Sequence, residues 1–362
     1  MALSCGVIGL PNVGKSTFFN ALSDAGAQVG NYAFCTIEPN VGMVEVPDLR
    51  LAQLARIAQS AQVIPAIMEF VDIAGLVKGA HKGEGLGNKF LAHIRETKAL
   101  CHVLRCFEDP DVSHVDHHVD PVRDIETISL ELCLADLQTL EKASQKHASK
   151  GKSGDKEAKL LYEACQHLIK AVSEGLLHGQ DLSKEQVAVA KDLGLLSIKP
   201  QMYVANVDED MDESNPHYQA VCDYAKKQGA QVLMICAKIE SELALLPEEE
   251  KKEFLASLGY EEPGLNRVIR AGYSLLDLQT FFTLGPKEAR AWTMSVGGTA
   301  LQASGEIHTD FIKHFIRAEV IPYQAYLDHQ GEQGAKAAGL WQLEGKDYIV
   351  SDGDVMYFRI SK

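Results

Sequence analysis

The chain has 362 residues, of which 46% are hydrophobic and 23% are charged, and its formal net charge is −15. This length allows two or three domains, and the negative charge argues against a protein that coats nucleic acid non-specifically. No apolar run approaches the roughly 20 residues that cross a bilayer, and no basic, apolar leader opens the sequence. Because the 8 cysteines are scattered without a C-x-x-C pair, we expect reduced thiols and a cytoplasmic protein.

The first element is a phosphate-binding loop between a strand and a helix. Residues 3–8 form an apolar run that predicts a buried strand, residues 9–16 fit G-x-x-x-x-G-K-S, and residues 17–22 have helical spacing. Backbone N–H groups in such a loop can surround an anion beside the positive end of the helix. Lys15 can reach the β- and γ-phosphates, and the Ser16 hydroxyl can bind Mg²⁺. The predicted nucleotide contacts of the loop are Asn12, Val13, Gly14, Lys15, Ser16 and Thr17.

Two later loops carry residues that could complete a magnesium site. Thr36 follows the first helix in a loop, where a threonine of P-loop NTPases can close on Mg²⁺ and the γ-phosphate. Residues 67–73 predict a second buried strand, and Asp72 near its end is suited to hold Mg²⁺ directly or through water. Gly75 would let a backbone N–H approach the γ-phosphate and sense its presence.

Leu76 stands where Ras-like GTPases have the glutamine that orients the attacking water. Leucine has no hydrogen-bonding group, so another residue, a bound ion or a partner must orient the water. His114, His117 and His118 follow in a polar loop, and their spacing hints at a metal site, although the loop context favours exposed histidines. We expect His114 to be the best candidate for positioning water, since histidine exchanges protons near neutral pH.

The base-reading loop follows a strand at residues 199–206. Asn206, Val207, Asp208 and Glu209 occupy the place of the Asn-Lys-x-Asp that reads guanine in Ras-like GTPases. The extra methylene of Glu209 displaces the carboxylate and valine lacks the contact of the lysine, so guanine pairing is spoiled. Asp208 could partly restore it. We therefore predict a preference for ATP over GTP.

The domain organisation follows from where the patterns change. Strands alternate with helices over residues 1–240, which predicts a parallel α/β sheet with nucleotide loops at its carboxyl edge. Residues 122–178 read as an antiparallel helical hairpin with a basic turn, and short strands with one helix after residue 278 indicate an α+β domain. The predicted domains are residues 1–121 with 198–277 for nucleotide binding, 122–197 for the insertion and 278–362 for the C-terminal domain.

The chain resembles the YchF family, the Obg-like ATPases. The resemblance rests on the order of the motifs GLPNVGKST, DIAGL and NVDE, together with the insertion and the C-terminal domain. The C-terminal part resembles a TGS domain, a ubiquitin-like β-grasp fold. Its matching residues are Trp292, Thr293 and residues 305–311, 318–320 and 353–355. The resemblance implies a P-loop NTPase with a Ras-like G domain that hydrolyses ATP, uses GTP weakly and binds the ribosome, through its large subunit.

The resemblance also implies roles for individual residues. Asn206 would contact the adenine ring, and the Val207 backbone would accept a hydrogen bond from the adenine amino group. His114 would replace the missing glutamine. Asn12 stands where related GTPases can hold K⁺, which is a second route to charge stabilisation.

Three alternatives remain at this point. The first is a GTP-driven switch, and the second is a metabolic P-loop kinase that phosphorylates a small molecule. The third is a ribosome- or RNA-binding adaptor in which the nucleotide is mainly structural, with RNA contacted by the basic hairpin turn and the TGS domain. No arginine finger is evident in the sequence, so we expect Mg²⁺-dependent hydrolysis with slow intrinsic turnover, stimulated by a partner in translation or stress responses.

Overall fold

The computed structural model describes residues 4–25, 40–74, 86–110, 118–152, 155–175 and 182–361. The strands in chain order are β1 Ser4–Ile8, β2 Val41–Glu45, β3 Gln62–Ile64, β4 Ile67–Asp72, β5 Ala99–Arg105, β6 Gln201–Asn206, β7 Gln231–Ile235, β8 Leu278–Leu284, β9 Glu288–Ser295, β10 Phe315–Ile321, β11 Gln342–Glu344 and β12 Val355–Ile360. The helices are α1 Lys15–Ala25, α2 Leu49–Ala58, α3 Leu86–Glu96, α4 Pro121–Lys152, α5 Lys156–Ser173, α6 Lys184–Asp192, α7 Pro216–Gln228, α8 Ala237–Leu245, α9 Glu248–Ser257, α10 Gly264–Leu275, α11 Ala300–Ile307, α12 Thr309–His314, α13 Tyr323–Asp328 and α14 Glu332–Ala337. None of the helices in these ranges is both long and apolar enough to cross a membrane.

The first sheet has the strand order β2-β4-β1-β5-β6-β7. β1 pairs in parallel with β4 and β5, and β6 pairs in parallel with β5 and β7. β1, β5 and β6 are buried along their whole length, as expected for parallel strands covered on both faces. Val7 is level with Asp72, and Asn206 is level with Arg105 and Ile235. The predicted parallel sheet of a P-loop NTPase is confirmed, and its strand ends bring the expected loops to one edge.

Helix ends in this part of the chain follow local sequence signals. Ser183 and Gln186 form a capping box at the start of α6, and Gly194 after its end has φ +65°. The Asn215 side chain accepts from two backbone N–H groups at the start of α7, where Pro216 is the first helical residue.

The predicted helical hairpin is confirmed as α4 and α5. Leu140 of α4 packs against Cys165, Leu168 and Val172 of α5. Asp136 of α4 accepts hydrogen bonds from the backbone N–H groups of residues 196 and 197, each at 2.8 Å, and from a serine hydroxyl at 2.7 Å. Burial raises the pKa of Asp136. This buried carboxylate ties the hairpin to the segment that leads into β6.

One helix ends earlier than its local pattern indicates. The apolar pattern of residues 90–100 is typical of a single helix, but α3 ends at Glu96 and Ala99 already lies in β5. The Thr97 hydroxyl bonds to the Ile94 carbonyl at 3.0 Å, and the Lys98 N–H bonds to the Ser4 carbonyl at 2.9 Å. The backbone thus turns from helix to sheet, because pairing with β1 outweighs continued helical spacing.

The chain divides into two compact units, residues 1–42 with 69–268, and residues 43–68 with 269–362. The second of these units contains α2 and β3. In that unit β3 pairs with β9, and Arg50 at the start of α2 bonds to Asp352 at 2.7 Å. The local sequence cannot reveal this grouping because the pairing partners are more than 200 residues away.

The second sheet has the order β11-β10-β12-β8-β9-β3. Its core contains Phe281, Ala303, Val320 and Met356. The sequence predicted one helix near residues 307–314, whereas the C-terminal part contains α11 to α14. These helices have 6 to 8 residues, too short for a clear periodic pattern. Tertiary packing stabilises them instead, and α11 and α12 also have side-chain caps at their starts.

Candidate nucleotide-binding site

A cleft of about 880 Å³ lies at the carboxyl edge of the first sheet. Every residue that lines it belongs to the nucleotide unit. The lining residues are Leu10, Pro11, Asn12, Gly14, Lys15, Ser16, Thr17, Asp72, Ala74, Phe107, Asp109, Asn206, Val207, Asp208, Glu209, Cys236, Ala237 and Lys238. The cleft therefore combines the phosphate loop, the end of β4, the predicted base-reading loop after β6, and residues that follow β5 and β7.

The phosphate loop turns directly from β1 into α1. Asn12 has φ +65° and Gly14 has φ +88°, a left-handed backbone region that favours glycine. A Cβ on Gly14 would lie 2.2 Å from Nδ2 of Asn206. Gly14 is thus required both for the turn and for the close approach of Asn206.

Lys15 and Asp72 form an ion pair in the cleft, with the lysine ammonium donating to Oδ1 of the carboxylate. Both side chains are largely shielded from solvent, with 11% and 23% exposed. Ser16 and Thr17 line the same cleft. The Ser16 hydroxyl and the Asp72 carboxylate are hard oxygen donors of the kind that Mg²⁺ prefers, so these residues fit the ion.

Asn206 holds the phosphate loop to the base-side loop. Its side-chain Nδ2 donates to the Val13 carbonyl at 3.0 Å, and its Oδ1 accepts from the Ala237 N–H at 2.9 Å. The side chain is buried. Val13 does not line the cleft, although its carbonyl is the anchor for Asn206.

Glu209 pairs with Lys238, the second residue of α8. Their side chains are 62% and 69% exposed at the mouth of the cleft. The neighbouring carboxyl of Asp208 has a raised pKa because of desolvation first and then the charges of Asp210 and other carboxylates. Three acidic residues, Asp109, Asp208 and Glu209, line this end of the cleft, and the Glu209 carboxylate is paired with Lys238.

Arg105 shapes the loop that follows β5. It is buried, its Nε donates to the Phe107 carbonyl at 3.1 Å, and its Nη2 donates to the Asp109 carbonyl at 3.2 Å. The guanidinium also lies 4.7 Å from the centre of the Phe107 ring. Sequence reasoning missed this arginine, because a lone charged residue at a strand end gives no local signal. It positions two residues that line the cleft.

The structure brings together most of the predicted site residues but does not describe all of them. Asn12, Gly14, Lys15, Ser16, Thr17, Asp72, Asn206, Val207 and Glu209 all line the cleft. Thr36, Gly75, Leu76 and His114 lie outside the described residues. Of the three histidines, His118 is described. It is exposed and lies 3.1 Å from a guanidinium nitrogen of Arg123. Within the described ranges, no group of three or more histidine, cysteine, aspartate or glutamate side chains is arranged to hold a metal.

Comparison with known proteins covers both units. A family model described as "50S ribosome-binding GTPase" matches residues 4–134, and the model YchF-GTPase_C, described as "Protein of unknown function (DUF933)", matches residues 278–361. The ribosome-binding ATPase YchF of Haemophilus influenzae is 57% identical over 362 residues, which is 100% of each chain. The chain belongs to the YchF family. The Bacillus subtilis protein of the same name is 51% identical, again over 100% of both chains.

A solved structure supports the YchF assignment at the level of the fold. The YchF GTPase of Schizosaccharomyces pombe is 34% identical, and the match covers 99% of this chain and 97% of that one, with a TM-score of 0.90. The resemblance inferred from the motifs is therefore confirmed, together with a P-loop nucleotide-binding domain and a separate C-terminal domain of the YchF type.

Proposed function

We propose that this chain is a Mg²⁺-dependent ATPase that binds the ribosome and changes conformation with its nucleotide state. The observation that carries the proposal is the pairing of Lys15 with Asp72 in a cleft also lined by Ser16. A nucleotide entering this cleft would draw Lys15 to its β- and γ-phosphates and release Asp72 toward the metal. Relatives of 57% and 51% identity are called ribosome-binding ATPases, which supports the same activity here.

The catalytic roles follow from the chemistry of each side chain. Mg²⁺, when bound, would neutralise charge on the phosphate oxygens and would be held by Ser16, Thr36 and Asp72, the last through water. Lys15 and the N–H groups of the phosphate loop would stabilise the negative charge that shifts to the leaving ADP oxygen as water attacks the γ-phosphorus. The Gly75 N–H would contact the γ-phosphate, so the conformation of its loop would depend on whether that phosphate is present. His114 would orient the water, with K⁺ at Asn12 as the alternative source of charge stabilisation.

The preference for ATP over GTP is supported by hydrogen-bond donors and acceptors at the base end. A guanine needs a carboxylate for its ring N–H and amino group, but Glu209 is paired with Lys238. Guanine also needs a donor for its 6-oxo group, and the Ala237 N–H is already used by Asn206. Adenine needs neither group. Asn206 would contact the adenine ring, and the Val207 carbonyl would accept from the adenine amino group.

Calorimetric titration with ATP, ADP, GTP and GDP in the presence of Mg²⁺ tests the nucleotide class. We expect ATP to bind more tightly than GTP, and equal or tighter GTP binding would favour the GTP-driven switch. Ser16→Ala should weaken Mg²⁺-nucleotide binding. His114→Ala should slow hydrolysis with little change in ATP affinity, so wild-type turnover in that variant would remove His114 from the mechanism.

Ribosome binding is proposed for the large subunit, which is supported by the description "50S ribosome-binding GTPase" of the matching family model. The exposed lysines at the basic end of the hairpin could contact RNA there, and the TGS domain is a second candidate. The described ones are Lys142, Lys146, Lys156 and Lys159. We also propose a cytoplasmic location, since that is where a ribosome-binding protein would act. Co-sedimentation with 50S subunits in ATP, ADP or no nucleotide tests binding and coupling together. Equal binding in all three states would favour an adaptor.

A further inference from the structure

Arg105 is a buried cation at the end of β5, with 2% of the residue exposed. Removing a guanidinium from water is costly unless its donors find acceptors. Here Nε donates to the Phe107 carbonyl at 3.1 Å, and Nη2 donates to the Asp109 carbonyl at 3.2 Å. The arginine therefore fixes the backbone of the short segment that follows β5.

The same segment is also held by the neighbouring strand and helix. The Cys106 N–H donates to the Asn206 carbonyl at 2.8 Å, and the Cys106 carbonyl accepts from Nδ2 of Asn215 at 2.9 Å. Phe107 thus starts directly beside the last residue of β6. The position of this segment relative to the base-reading loop is set by hydrogen bonds on both sides.

The Phe107 ring contacts the arginine and also lines the cleft. The guanidinium carbon lies over the ring, 4.7 Å from its centre, which is the geometry of a cation–π contact. The residue is half-buried and contributes to the cleft lining. Because Arg105 holds both the carbonyl and the ring of Phe107, it restricts the backbone and the side-chain rotations that decide where the ring points.

The strand order places this ring on the nucleoside side of the cleft. β5 lies between β1, which leads into the phosphate loop, and β6, which leads into the base-reading loop. Asn206 and Val207, the proposed base contacts, line the cleft together with Phe107. An uncharged aromatic ring cannot pair with phosphate oxygens, but it offers a flat apolar surface for a purine.

We propose that Arg105 is a positioning residue for the nucleoside part of ATP, which it serves by holding Phe107 as a platform for the base. This inference rests on the proposed nucleotide binding and adds a residue that does not itself touch the nucleotide. Stacking uses the flat face that all purines share. Arg105 therefore sets the affinity for purine nucleotides, whereas the choice between ATP and GTP depends on Glu209 and Asn206.

The test compares ATP with inorganic tripolyphosphate, which has the phosphate chain but no base. Both are titrated calorimetrically into the full-length protein with Mg²⁺. Arg105→Lys keeps a positive charge but lacks the planar fork that reaches two carbonyls. We expect the affinity for ATP to fall about tenfold and that for GTP to fall by the same factor, since one stacked base is lost. The affinity for tripolyphosphate should stay within about twofold.

Two further variants show whether Arg105 acts through the ring. Phe107→Leu should reproduce the selective loss of ATP affinity, and adding Arg105→Lys to it should cause little further loss. Arg267→Lys is the matched control, because Arg267 also donates from Nη2 to a carbonyl, that of Met234 at 3.1 Å, but lies outside the cleft lining. It should leave both affinities unchanged.

A measurement on the wild-type protein covers the case in which Arg105→Lys does not fold. The Nε–H of Arg105 is buried and hydrogen-bonded, so its nitrogen-15 NMR signal should be protected from exchange. We expect this signal to shift when ADP is added, because a base stacks on the neighbouring ring. Tripolyphosphate should leave it unchanged.

Four outcomes would overturn the proposal. They are an unchanged ATP affinity in Arg105→Lys, equal weakening of ATP and tripolyphosphate, full additivity of the Arg105 and Phe107 substitutions, and an Nε–H signal that responds to both ligands alike or to neither. A wild-type protein that binds neither ATP nor tripolyphosphate would instead refute the proposed nucleotide binding itself.

Discussion

The ammonium of Lys15 bonds to the carboxylate of Asp72. When a metal and a nucleotide bind, we expect the two groups to separate, with Lys15 moving to the phosphates and Asp72 to the metal. Asp72 therefore has two opposite effects on binding. It neutralises Lys15 when the metal is absent, and it supports the metal when the metal is present.

We predict that Asp72→Ala changes nucleotide affinity in opposite directions with and without Mg²⁺. With Mg²⁺ the affinity for ATP should fall about tenfold or more, since the metal loses a carboxylate. In EDTA the affinity should rise, because Lys15 is free to meet the phosphates. Calorimetry under both conditions measures this, and Asp24→Asn on the exposed side of α1 is the control. A loss of affinity in EDTA as well would contradict the prediction.

Lys238 should influence base selection through Glu209. Lys238→Met removes the cation that holds the carboxylate, which then becomes available to the amino group of guanine. Because the pair is exposed, we expect a modest increase of about two- to fivefold in GTP affinity relative to ATP. Competition binding of the two nucleotides measures the ratio. Lys159→Met breaks a similarly exposed pair with Glu163 at 3.9 Å in α5 and should leave the ratio unchanged.

Gly14 and Asn206 should be energetically coupled. Gly14→Ala introduces a Cβ 2.2 Å from Nδ2 of Asn206 at φ +88°, and Asn206→Ala removes two hydrogen bonds from a buried side chain. Each change should cost about 1–3 kcal/mol in the free energy of unfolding. The double variant should lose less than the sum, since Asn206→Ala removes the clash.

Urea unfolding of the two single variants and the double variant tests this coupling. Gly259→Ala is the matched control, because Gly259 has φ +78° and no atom within 4 Å of the added Cβ. Its cost should reflect the backbone conformation alone and should add to that of Asn206→Ala. Strict additivity for the Gly14 pair would mean that the loop relaxes away from Asn206.

His102 should make the first sheet less stable in acid. It lies in β5 beside Tyr203 of β6, and burial lowers its pKa to about 3. The unfolded chain binds a proton below a pKa of about 6.5, but the folded chain remains neutral, so stability is present above this pH and falls as the pH decreases. Between pH 7 and pH 5 the expected loss is about 2 kcal/mol.

Hydrogen exchange of the amides in β5 and β6 at pH 7 and pH 5 measures this loss, after correction for the intrinsic exchange rate. His102→Phe keeps a ring of similar size that cannot be protonated. Between pH 7 and pH 5 this variant should therefore lose about 2 kcal/mol less stability than the wild type. An identical pH dependence in the two proteins would assign the acid sensitivity to groups other than His102.

The nucleotide site was largely predictable because its central motif is contiguous. The phosphate loop needs a strand end, glycine-permitted turns and a helix N-terminus, and residues 3–22 encode all three in order. The capping box at Ser183 is local in the same way. The partners of these motifs were less predictable, since Glu209 meets Lys238, and Asn206 meets Val13, only when distant strand ends become neighbours.

By itself, the sequence determined the type of phosphate site, the alternation of strands and helices, and the helical hairpin, because each depends on residues within one or two turns or strands. Tertiary structure alone decided that Arg105 shapes the cleft, that β3 pairs with β9, and that Asp136 bonds to the segment before β6. These features depend on contacts between segments that are distant in sequence. Such contacts stabilise the fold only once the chain has brought those segments together.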